Sequence, residues 1–202
     1  MFQTVQYGVV SSQARQRLLA AAVEHAFQGG IVDQSLRQIA AAIGTSHRML
    51  LYHFGSRTGL IVAVSNQINE VVAGALDRWT DPRELFEHFS DPEAWPWERL
   101  FFELYANALF SRPGTEGFVE AAVHRWVAGL AAELVKQGVD ETDARIQARL
   151  HLAVARGLLL DLLATEERED IKLAYEHYLQ LVGHSQTAEA RCSRAAGENG
   201  GT

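Results

Sequence analysis

The sequence predicts an all-α protein of about nine helices, and three observations carry that expectation. No stretch alternates apolar and polar residues in the Val-, Ile- and Thr-rich manner of a half-buried strand. Apolar pairs recur at three- and four-residue spacing along nearly the whole chain, the signature of helices with one buried stripe. Gly and Pro fall between those periodic stretches, at Gly29-Gly30, Gly44, Gly55, Pro82, Pro92, Pro113-Gly114 and Gly138. With 202 residues, 48% of them hydrophobic and 21% charged, the chain is long enough to bury a sizeable core.

The first helix is expected after the Ser11-Ser12 cap, following a flexible N-terminus over 1–10, with Leu18/Leu19, Ala22/Val23 and Ala26/Phe27 on one stripe. Gly29-Gly30 stops it. Ser35-Leu36-Arg37-Gln38 has the form of a capping box, so a second helix starts at 36 and is cut short by Gly44. Thr45-Ser46 then caps a third helix, about 46–53, which carries Leu50 and Phe54 inward. Gly55-Ser56 ends it and opens a long fourth helix with Leu60, Val64, Ile68, Val71 and Val72 on its apolar side. Five more follow, over about 82–90, 95–111, 115–137, 140–165 and 168–183, and 184–202 reads as a disordered tail. Residues 150–164 are apolar nearly all the way round, so every face needs cover; 171–182 is the natural companion at a contact with a second subunit.

Charge is unevenly divided. Residues 1–60 hold five arginines against Glu24 and Asp33, a balance of +3, whereas 61–202 hold 13 positive against 23 negative residues, a balance of −10. Only the first segment is compatible with a polyanion partner. No apolar run reaches the ~18 residues that a membrane span needs, and the N-terminus has no signal-peptide pattern, so a cytoplasmic protein without a membrane partner is expected. Cys192 stands alone in a flexible-looking end and is given no chemistry. The chain holds no Gly-x-Ser-x-Gly elbow, phosphate loop or recurrent metal-ligand spacing; neither catalysis, a cofactor nor a metal is expected.

The informative stretch runs from Ser35 to Arg57. Two short helices can cross at ~90–120° through a tight turn only if the crossing residue is small and the turn tolerates a positive φ. Ala40 and Gly44 meet those demands, with Ile39 and Leu50 as the apolar contacts, which makes a helix-turn-helix. Its second helix would present Thr45, Ser46, His47 and Arg48 to base edges in a major groove, with Arg48 the natural bidentate donor to guanine. Ser35, Arg37, Tyr52, His53 and Arg57 are placed to meet phosphates.

These residues resemble the DNA-binding domain of the tetracycline-repressor (TetR) family of bacterial transcription regulators, over about 15–65. The matching features are Ala26-Phe27, Gly30, Ser35 to Ala40, Gly44-Thr45-Ser46, Tyr52-His53-Phe54 and Ser56 to Leu60. Leu51 stands where the family most often has Tyr and Tyr52 fills the next place, so either position is open for the phosphate contact. The resemblance implies a helix-turn-helix domain over 11–56, joined by a long helix to a helical ligand-binding and dimerisation domain over 57–183. It implies a transcriptional regulator, a repressor by family habit, that binds an inverted-repeat operator as a homodimer and is released by a small effector. The aromatic-rich middle supplies candidate effector residues Phe101, Tyr105, His124, Arg125, Trp126, His151 and Arg156. Leu152, Leu159, Leu163, Tyr175, Tyr178 and Val182 are the candidate dimer contacts. The rival is a helical protein–protein interaction module without DNA binding, which would leave the charge division and the Ala40/Gly44 spacing unexplained.

Overall fold

Capping residues set most of the helix starts. The computed structural model describes residues 2–78 and 81–198, with side chains over 13–71, 74, 78 and 81–183, and no strand occurs among them. Helix α1 spans Phe2–Phe27, α2 Leu36–Ala42, α3 His47–Phe54 and α4 Arg57–Arg78. Asp81 caps α5 (Pro82–Ser90), accepting from the Arg83 amide, with Pro82 in the first turn where its missing N–H costs nothing. Helix α6 spans Trp95–Leu109, and a π-helical turn, Glu120–Arg125, leads into α7 (Trp126–Lys136). Helices α8 (Glu141–Thr165) and α9 (Arg168–Glu198) complete the chain.

Three boundaries depart from the sequence reading. Helix α1 reaches back to Phe2, so residues 2–10 are helical, no proline breaking the run ahead of Ser11. Residues 112–117 are turns in place of a helix start, with the Thr115 hydroxyl donating to the Arg112 carbonyl. Helix α9 continues to Glu198 through a segment rich in Ala, Arg, Glu and Gln, good helix formers, where a disordered tail from 184 is the sequence expectation. Residues 199–202 lie outside the described residues.

The chain divides into two compact units, residues 1–149 and 150–202. In the first, α1 packs on α2, α3, α4 and α6, α3 packs on α4, and α4 packs on α6 and α7. Ala22, Ile39, Leu50, Leu60, Val64, Ile68, Leu100, Leu104 and Phe118 are buried in its core. The expected stripe of α4 is buried at Leu60, Val64 and Ile68, whereas Val71 is exposed; the Val72 side chain lies outside those described. In the second unit Leu152, Leu159, Leu162, Ile171 and Tyr175 are buried, while Leu150, Leu160, Leu173 and Leu181 are exposed.

Candidate nucleic-acid interface

The α2–α3 pair is fixed by local chemistry at each end. The Ser35 hydroxyl accepts from the Gln38 amide (3.3 Å), and Gln38 Oε1 accepts from the Ser35 amide (2.8 Å), closing the capping box. Helix α2 ends at Ala42, and two residues on Gly44, with a φ of +68°, lets the chain reverse while the Thr45 amide bonds back to the Ala40 carbonyl at 2.9 Å. Ser46 then caps α3, its hydroxyl accepting from the Met49 amide at 3.2 Å. Ile39, Ala40 and Leu50 are buried, as the crossing of two helices at close range requires, and Phe54 is buried at the end of α3 beneath the Arg15 guanidinium.

What remains outward on α3 is a face of Arg48, Met49, Leu51 and Tyr52, with Tyr52 73% exposed, and with Thr45 and His47 half-buried beside it. Arg48 supplies a forked donor and Met49 and Leu51 an apolar surface suited to thymine methyls. Nothing in the sequence marks Met49, and Leu51 enters there only as the alternative to Tyr52 for a phosphate contact; the exposure of both follows from the angle at which α3 docks. Arg37 is exposed on α2.

Two of the expected phosphate contacts, Ser35 and Arg57, have other commitments, and His53 has a ring nitrogen buried. The Ser35 hydroxyl donates to Gln38 Oε1 at 2.7 Å and its amide goes to the same oxygen, so no donor of Ser35 is left for a phosphate while the box is closed. His53 has its Nε2 buried without a hydrogen-bond partner and its ring edge-on to Tyr52, which closes that nitrogen off from a phosphate. Arg57 is half-buried and donates Nε to the Gln34 carbonyl at 2.6 Å, leaving only its terminal nitrogens for an outside group. Gln34, which the sequence reading passes over, is the hub of this contact: its side chain also donates to the Gly30 carbonyl and pairs with His25. No sequence signal marks it, because it stands in an irregular turn.

The expected effector residues are dispersed. Phe101 is buried, packed against Phe118 and Tyr105 with ring centroids 5.6 and 5.9 Å apart, and Trp126 is buried beside Phe89. They fill the core, the ordinary fate of aromatics at helical spacing. His124 pairs with Glu120 on the surface, and Arg125 is exposed. His151 and Arg156 belong to the second unit, where His151 Nε2 lies 2.6 Å from the Tyr175 hydroxyl and burial lowers its pKa. None of these residues lines the cavity of about 540 Å³ bordered by α4, α5 and α6, whose walls include Glu70, Val71, Arg78, His88, Phe89 and Trp97. His88 there has its pKa lowered, by burial first and then by Arg78, with Asp91 opposing. Of the expected dimer contacts, Leu152, Leu159 and Tyr175 are buried within the chain itself, and Leu163, Tyr178 and Val182 are half-buried. The exposed apolar residues of that unit are their neighbours, because a helix apolar all round turns one stripe inward and leaves the other out. Among the described residues no group of His, Cys, Asp and Glu is placed to hold a metal, and no helix is long and apolar enough to cross a membrane.

Residues 18–64 match the sequence model of the family described as bacterial regulatory proteins, tetR family. No curated protein matches the chain by sequence. Among solved structures, a transcriptional regulator from Rhodococcus sp. Rha1 is similar in fold, with a TM-score of 0.66 at 21% identity, covering 82% of this chain and 96% of that one. A TetR family member from Streptomyces coelicolor A3 has a TM-score of 0.61 at 26% identity, covering 81% and 96%. The multidrug binding protein EbrR, complexed with imidazole, has a TM-score of 0.59 at 27% identity, covering 82% and 89%.

Proposed function

From the match of residues 18–64 to the tetR family model we propose that the chain is a member of that family of bacterial regulatory proteins and a cytoplasmic transcriptional repressor. It binds an inverted-repeat operator as a homodimer and is released by a small-molecule effector. The observation that carries this reading is the exposed face of α3, Arg48 with Met49, Leu51 and Tyr52, standing on a capped helix within residues 1–60, whose balance is +3 against −10 for the rest of the chain. Residues 11–56 form the reading domain and 57–183 the domain that dimerises and responds. The protein acts by binding, without a catalytic step.

One reading helix covers only a few base pairs, so two symmetric copies are needed, with half-sites about one helical turn, ~10 bp, apart. The dimer surface is assigned to the exposed Leu160, Leu173 and Leu181 of α8 and α9, which a single chain leaves in water. The effector site is assigned to the cavity bordered by α4, α5 and α6, a size that suits a small molecule. Its carboxylates, Glu70, Asp91, Glu93 and Glu98, outnumber Arg78 and His88, so a basic compound with apolar surface fits better than the acidic one that Arg125 and Arg156 would favour. EbrR, a multidrug binding protein, supports a binding role for such a domain.

Sedimentation of the wild type and of the Leu160→Asp/Leu173→Asp variant, with and without a duplex carrying a selected site, tests the reading. We expect a wild-type dimer that binds one duplex and a monomeric variant with little operator affinity. A wild-type monomer that binds the site at full affinity would overturn it.

A further inference from the structure

The turn between α1 and α2, residues 28–35, is tied from three directions. From α1, His25 Nε2 pairs with Gln34 Oε1, and from α4, Arg57 donates Nε to the Gln34 carbonyl. The third tie comes from far along the chain. Oε1 of Glu103, on α6, accepts from the backbone amides of both Ile31 (3.1 Å) and Val32 (3.0 Å). Ile31 and Val32 are buried, so those amides have no water as an alternative partner. Two successive amides converging on one carboxylate oxygen form an anion-holding concavity built from backbone alone.

The fit is tight. Gly30 has a φ of +78°, and a Cβ placed on it would stand 2.7 Å from Glu103 Oε1 and 2.9 Å from Oε2, so both the conformation and the space demand glycine. Oε2 is itself buried without a hydrogen-bond partner. Desolvating a carboxylate is costly, and here only one of its two oxygens is compensated. The compensation goes entirely to the turn that sets the entry to α2.

We infer that Glu103 is a positioning residue for DNA reading: it registers the reading domain on α6 through the Ile31 and Val32 amides and touches no DNA itself. The inference rests on the DNA-reading assignment above. Its two bonds are already 3.0 and 3.1 Å long, so a displacement of α6 by about 1 Å away from the turn breaks both. Trp97 and Glu98, which line the cavity, stand on the same helix one to two turns earlier, so a compound seated there acts on the element that carries the tie.

Two conservative variants separate reach from charge. Glu103→Gln keeps an oxygen at the amides and loses the charge; Glu103→Asp keeps the charge and draws its oxygens back by one methylene. We expect Glu103→Gln to bind a selected site within about threefold of wild type, and Glu103→Asp to bind it roughly tenfold more weakly, the equivalent of one or two net hydrogen bonds. Binding of Glu103→Asp to random duplex and its salt dependence should be unchanged, because no phosphate contact is lost. Amide exchange at Ile31 and Val32 should be faster in Glu103→Asp and slow in Glu103→Gln, with the amides of α4 unaffected in both. Full operator affinity in Glu103→Asp overturns the inference, as does the reverse order of the two variants or an equal loss on selected and random duplex, which would mean general destabilisation. A wild type that binds no duplex at all overturns the DNA-reading assignment itself, an outcome distinct from these.

Discussion

On the proposed function Arg57 both holds the α1–α2 turn and meets a phosphate, and one pair of substitutions parts the two. Its Nε donates to the Gln34 carbonyl at 2.6 Å, a charge-assisted bond joining the start of α4 to the α1–α2 turn, and its terminal nitrogens remain for a phosphate. A hydrogen bond to a charged group is worth about 1.5–3 kcal/mol, and the half-buried position places this one at the lower end, about 1.5 kcal/mol. For a domain of this size that corresponds to a fall of roughly 3–6 °C in Tm. Arg57→Ala should show that fall by thermal denaturation, and should also weaken binding to every duplex alike and reduce the salt slope by about one per subunit. Arg57→Lys has no Nε to offer the carbonyl but keeps the charge. It should melt like Arg57→Ala and keep most of the wild-type salt slope. Arg57→Ala melting with the wild type, or Arg57→Lys losing the salt slope as fully as Arg57→Ala does, would rule out this division of roles.

Ser35→Ala opens the capping box and should cost about 1 kcal/mol of stability by chemical denaturation, with operator affinity reduced only as far as α2 frays. Leu50→Ala empties a fully buried position at the α2–α3 crossing and should cost about 2–5 kcal/mol, seen as the largest Tm loss of these variants. Burial lowers the His151 pKa, so the folded state binds a proton less readily than the unfolded chain. That contribution to stability is complete above the unfolded value near 6.5 and is lost as pH falls through it, levelling off below the folded value. Tm measured between about pH 8 and pH 5 should therefore fall more steeply for the wild type than for His151→Gln, and parallel curves would count against it.

The α2–α3 pair was legible in the sequence because its determinants are local. Ser35 with Gln38 announces one helix, Ser46 caps the next, Gly44 marks the reversal between them, and the spacing of Ile39 and Leu50 gives the buried side. What was not legible depends on partners distant in sequence. The pairing of Glu103 with Ile31 and Val32 spans some seventy residues, and no pattern within either segment points to the other. The commitments of Ser35 and Arg57 and the burial of the His53 Nε2 follow from how α2, α3 and α4 dock, and residue type alone does not decide that. In the middle of the chain the same ambiguity attends the candidate effector residues. Phe101 and Trp126 have the size and polarity of either a cavity wall or a core, and packing assigns them to the core. On α8, Leu159 and Leu160 are adjacent and chemically alike, yet the first is buried and the second exposed.

Whether the outward face of α3 reads base pairs is decided by selecting binding sites from random duplex DNA with the wild type and with Arg48→Ala. The wild type should select an inverted-repeat consensus. Arg48→Ala should select the same repeat with preference relaxed at one position in each half-site, at a cost of about 1–3 kcal/mol on the original sequence. An unchanged consensus in Arg48→Ala, or no enrichment of any sequence by the wild type, would contradict base reading by that face.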